Sequence, residues 1–151
     1  MLSMLSRTEY KATMPTTLTL LLFTQFSLFP QDTAHWALYL ANDGATSGTL
    51  FHASKDSMTT RQTVYQSIPN FSATQSHSLR SAVVVKAGSN LTTSIIDTQC
   101  RAAAQNRPFD LIKNNCQKFC SQVLVRLKNS GHITQAEFDA LERKGFKPII
   151  S

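Results

Sequence analysis

Hydrophobic and polar positions change rhythm near the middle of the chain. In the first half, apolar residues come as short runs or alternate with polar ones, the period of a β-strand. Thr17 to Phe23 predicts a first strand and Ala34 to Leu40 a second. The turn residues Asn42-Asp43-Gly44 close the second, so Gly48 to Ala53 reads as its hairpin partner. Leu79 to Lys86, with its β-branched run Val83-Val84-Val85, predicts a further strand. Residues 55 to 78 are rich in Ser, Thr and Gln and predict a long loop, with only a short strand near Val64-Tyr65. Residues 1 to 15 predict a polar lead-in ending at Pro15.

In the second half the apolar residues recur at three- and four-residue steps. Leu91, Ile95, Ile96 and Cys100 share one helix face, with Asn90 as the expected cap and the helix ending before Pro108. Cys116, Phe119, Cys120, Val123, Leu124 and Leu127 make a second amphipathic stripe that stops before Gly131. Thr134 and Glu137 have capping-box spacing for a last short helix running to about Lys144, with Gly145 as its stop. Strands first and helices second predict an α+β domain, an antiparallel β-sheet packed with helices, over residues 16 to 151. The chain shows no internal repeat.

A chain of 151 residues, 42% hydrophobic, can bury a core as one domain without disulfides. The formal net charge of +6 favours contact with anionic surfaces. The basic residues are scattered, without the Lys/Arg runs or aromatic interleaving of a specific nucleic-acid binder. Three cysteines, Cys100, Cys116 and Cys120, are an odd count without CxxC spacing, so neither a disulfide framework nor a metal site is expected. Reduced thiols point to a cytoplasmic setting. The alternative is secretion, since Leu18 to Phe29 is an apolar stretch behind Arg7 and Lys11, but Thr19, Thr24, Gln25 and Ser27 interrupt it and favour a strand. Asn70-Phe71-Ser72 and Asn90-Leu91-Thr92 match the glycosylation pattern, which matters only in a secreted chain. No nucleotide-binding glycine loop, carboxylate metal box or Gly-x-Ser-x-Gly elbow occurs, and no cofactor is expected.

The candidate chemistry lies in two separated stretches. Cys116 is expected in the first turn of its helix, with Asn114 or Asn115 as cap, where the macrodipole and unpaired N–H groups favour a thiolate. The plainer reading makes Cys116 the first member of the buried stripe, as Cys100 and Cys120 are expected to be core. His35 interrupts an aromatic and aliphatic strand. Alternation places His35, Ala37 and Tyr39 on one face, and Trp36, Leu38 and Leu40 on the other, which reads as the core. The His35 face is then free to line a cleft, the imidazole as base and the Tyr39 phenol as donor. A hairpin brings His52 beside His35, where it can orient the first ring. His77 and His132 lie in polar contexts and are expected to be exposed.

Three stretches taken in order, His35-Trp36-Ala37-Leu38-Tyr39-Leu40, Leu50-Phe51-His52-Ala53 and Asn115-Cys116-Gln117-Lys118-Phe119, resemble the lecithin–retinol acyltransferase-like family. That family carries an H-W-A-x-Y box, a second histidine in the next strand and an N-C-E-H-F box opening a helix. It belongs to the circularly permuted papain-like superfamily, with NlpC-type and PPPDE-type peptidases as relatives. The resemblance implies a circularly permuted papain-like fold, Cys116 as nucleophile, His35 as its base, His52 as orienting residue and Tyr39 as an oxyanion donor. It further implies thiol-dependent acyl transfer or hydrolysis, on a small-molecule acyl donor, a lipid or a peptide. Gln117-Lys118 replaces the family's Glu-His, which leaves room for a non-catalytic binding protein on the same fold.

Overall fold

A computed structural model describes residues 14–23, 35–55, 62–105, 107–108 and 116–147. The described residues form strands β1 (Thr16–Phe23), β2 (His35–Asn42), β3 (Gly48–Lys55), β4 (Thr63–Phe71) and β5 (Leu79–Ser89). Helices α1 (Thr93–Ala104), α2 (Cys116–Asn129) and α3 (Gln135–Arg143) follow. The architecture is α+β, and the strands make one antiparallel sheet in the order β4-β3-β2-β1-β5. β2 is therefore the central strand. Among the described residues no helix is long and apolar enough to cross a membrane.

The sheet is apolar on both faces. One face packs against the helices, and Leu18, Leu20, Trp36, Leu38 and Phe51 share its core with Ile96, Phe119, Leu124 and Leu127. Removing such side chains from water supplies most of the driving force for the domain. The other face holds a smaller cluster of Leu21, Phe23, Ala37, Leu50 and Ala73, with Tyr39, Ile68, Phe71 and Leu79 packed around it. This corrects the expectation of one core face and one open face on β2. Phe23, Leu50 and Phe71 come from neighbouring strands and give the His35 side apolar company that β2 alone does not display.

Residues 62 to 78 also depart from the expected loop. They contain β4, nine residues long, and a single 3₁₀ turn at Ala73–Gln75. β4 pairs with β3 over nearly its whole length, so ladder hydrogen bonds hold a polar segment extended even though its burial pattern lacks clean alternation. Residues 56–61 of the expected loop lie outside the described residues, as do residues 1–13 of the lead-in and residues 24–29 of the apolar stretch.

Thr92, not Asn90, caps α1; its side chain accepts the Ile95 N–H at 3.2 Å. Leu91 precedes the helix and is buried, while the Thr16 and Ser89 hydroxyls, 2.8 Å apart, tie this junction to the start of β1. The capping box of α3 forms as expected, with Thr134 and Glu137 each bonding the other's backbone N–H. Glu137 also pairs with Lys86 of β5, and Phe146 beyond α3 meets the Trp36 ring edge-on at 5.6 Å between centroids. The α3 hairpin is thereby fastened over the sheet beside the start of β2.

Candidate active site

Cys116 is the first residue of α2 and starts the buried stripe that the spacing predicts. That stripe lays α2 against β2 and β3. The ladder between β2 and β3 covers Leu38, Tyr39 and Leu40 on one side and Phe51, Leu50 and Thr49 on the other. Beyond it, β3 pairs with β4 through His52, Ala53, Ser54 and Lys55. The first residues of β2 thus lie outside the ladder with β3. There the Trp36 N–H donates to the Cys116 Sγ, with N to S 3.4 Å. The sulfur substitutes for a strand as acceptor of a backbone donor.

The thiol is 4% exposed and belongs to the helix-side core. Burial pushes its pKa up, because a thiolate loses hydration there; the N–H groups of Trp36, Cys116 and Gln117 pull the other way without reversing the shift. Cys116 is therefore a neutral thiol at pH 7, not the preformed thiolate that a helix start alone suggests. Cys100 and Cys120 are fully buried core residues, as expected, and burial raises both of their pKa values.

His35 and His52 come together. Their rings are 5.4 Å apart and nearly perpendicular at 80°. The Phe23 ring lies 6.4 Å from His35, which places the imidazole on the smaller-cluster side of the sheet. Burial, followed by the neighbouring His52, lowers the His35 pKa to about 4, so the ring is a neutral base at pH 7. Burial also lowers His52, with Gln66 across the β3–β4 ladder offsetting part of the fall. Both His52 ring nitrogens are buried, and neither makes a hydrogen bond of full geometry among the described residues. The two rings meet edge to face, so the contact orients His35 by packing.

The expected constellation is assembled in part. Cys116 reaches β2 at the main chain of Trp36, the residue next to His35. Tyr39 lies four residues along β2 from His35, about 13 Å at strand spacing. Its hydroxyl donates to the Phe71 carbonyl at 3.1 Å, and burial raises its pKa. Through that bond the phenol braces the smaller cluster. Asn114 and Asn115, the expected caps, lie outside the described residues. His77 is exposed as expected, whereas His132 is half-buried. Sequence reasoning missed Trp36, whose contribution is a main-chain donor that no side-chain pattern signals.

A cavity of about 590 Å³ opens at the other end of β2, lined by residues that include Met14, Asn42, Gly48, Asn90 and Thr92. It is remote from Cys116 and belongs to a different region of the surface. Among the described residues no group of three or more His, Cys, Asp or Glu side chains is placed to hold a metal ion. No protein-family model matches this chain, and neither does any curated protein or solved structure.

Proposed function

We propose that the protein is a thiol-dependent acyl-transfer enzyme of the circularly permuted papain-like type, with Cys116 as nucleophile and His35 as its base. The observation that carries this reading is the hydrogen bond between the Trp36 N–H and the Cys116 sulfur. It brings a thiol at a helix start to the strand residue beside a neutral imidazole. The order of elements supports it as well: an antiparallel sheet carrying the histidines precedes the helix carrying the cysteine.

A neutral thiol at residue 116 and a neutral imidazole at residue 35 are the protonation states that general-base activation needs. The imidazole takes the S–H proton as sulfur attacks an ester or amide carbonyl, and a thioester on Cys116 follows when the alcohol or amine leaves. The N–H groups of Trp36, Cys116 and Gln117 surround the sulfur and offset part of the cost of negative charge there. Small-molecule acyl donors, lipids and peptides all fit this chemistry, in a cytoplasmic setting.

The test is to incubate the protein with an activated ester and measure intact mass. One acyl group should appear on Cys116, vanish in Cys116→Ala, and form at least a hundredfold more slowly in His35→Gln. Equal labelling of Cys100 and Cys116 would remove the enzyme.

The burial of the sulfur favours a second reading, a non-catalytic binding protein that kept the fold. A Cys116→Ser variant with undiminished biological activity would support it.

A further inference from the structure

The two edges of the sheet are protected differently. β5 carries Arg80 and Lys86, and the Lys144 ammonium donates to the Val84 carbonyl at 2.9 Å. Charges of this kind keep other strands from pairing with an edge. β4, at the opposite edge, has nine residues and none of them is charged. Its start is already paired, since the Thr63 N–H donates to the Arg107 carbonyl at 2.8 Å, and Gln62 and Pro108 form an antiparallel bridge. That bond fixes which backbone groups face outward. Alternate residues of a strand turn their N–H and C=O groups to the same side, so Tyr65 and Ser67 direct theirs away from β3, as Thr63 does. Pro69 ends the series, because it has no N–H. Among the described residues no strand pairs with this edge beyond Thr63, and Gln66, Ser67 and Pro69 are exposed.

A cavity of about 400 Å³ starts at the same edge, where Ser67 and Pro69 line it together with Thr49, Thr93, Ser94 and Asp97. The Tyr65 hydroxyl and the Arg101 Nε each donate to one Asp97 oxygen, at 2.7 and 2.8 Å. Those bonds fix the carboxylate and leave each oxygen a second lone pair. We propose that the β4 edge takes an extended peptide of a partner protein as an added strand, with a Ser or Thr side chain of that peptide in the cavity. A residue opposite Ser67 exchanges both backbone hydrogen bonds with it and turns its side chain to the same face, which is the cavity side. A short hydroxyl side chain meets there the hydroxyls of Thr49, Thr93 and Ser94 and a fixed acceptor in Asp97. Main-chain bonds supply the affinity and the pocket supplies the choice of sequence. The surface makes no use of Cys116.

Amide NMR during titration with a capped seven-residue peptide of alternating Thr and Gln tests the proposal. Saturable shifts should concentrate at residues 64–69 and 93–97. N-methylating the Thr residues removes the donors that face β4 and should weaken binding at least tenfold, and Val in place of Thr should weaken it at least threefold. Ser67→Pro deletes an N–H that β3 does not use, so its urea midpoint should match the parent while peptide binding falls at least tenfold. Shifts as large along β5 as along β4, or equal binding of the N-methylated peptide, overturn the site. Concentration-dependent dimerisation of the protein alone, lost in Ser67→Pro, would give the edge to a second copy instead and overturn it as well.

Discussion

The Cys116 sulfur accepts the backbone N–H of Trp36 at 3.4 Å, joining the opening of α2 to the start of the central strand. Cys116→Ala leaves that N–H buried without an acceptor and removes a buried sulfur. Unfolding in urea should show a loss of about 1–3 kcal/mol. A variant as stable as the parent would mean that water satisfies the donor.

His35 and His52 make stability depend on pH. The His35 pKa is lowered to about 4 from 6.5, and His52 moves the same way. Between those values the unfolded chain binds protons that the native state refuses, so stability is complete above about pH 6.5 and falls as pH drops toward 4. His35 alone should account for about 2–3 kcal/mol between pH 7.5 and 4.5. Urea midpoints at the two pH values should differ less in His35→Gln than in the parent; equal differences would contradict the assignment.

Gly48 sits where β2 and β3 begin to separate from their turn. A Cβ there would overlap the Leu40 carbonyl oxygen and lie 2.7 Å from the Ala41 Cβ. Both neighbours belong to the central strand and cannot swing away. Gly48→Ala should cost about 2 kcal/mol or more, read as a lower thermal midpoint. A neutral effect would show that the hairpin can open at no expense.

Tyr65 ties the edge strand to a helix. Its hydroxyl donates to Asp97 at 2.7 Å, its ring stacks on Phe119, and Arg101 lies over the ring 5.7 Å from its centroid. Tyr65→Phe keeps the stacking and deletes only the bond, so about 1 kcal/mol should be lost. Hydrogen exchange should speed up in β4 ahead of β2. Uniform acceleration across the sheet would mean that β4 does not open separately.

Local patterns revealed those parts of the fold whose causes are local. Asn42-Asp43-Gly44 marks the β2–β3 turn, with Gly44 at φ +81°, and the Thr134/Glu137 spacing marks α3. Most of β4 beyond Val64-Tyr65 was hidden because it is an edge strand with a single buried residue, Thr63, so ladder pairing rather than alternation defines it. Thr92 prevailed over Asn90 because Ser89 and Leu91 are held by Thr16, which starts the helix two residues later. At the candidate site, the spacing anticipated a histidine pair and a cysteine opening a helix. It did not disclose that the sulfur meets main chain, because a stripe on one helix says nothing about which strand donor faces it.

The sheet order also governs when the molecule can be finished. β1 lies between β2 and β5, and its outer edge is satisfied only when Leu79–Ser89 arrives, long after its inner partner has been made. A nascent or truncated chain that stops short of Leu79 presents Leu18 to Leu22 as an open template for other strands. Fragments of this length should therefore self-associate, and yield during synthesis rests on how quickly the fifth strand closes that seam.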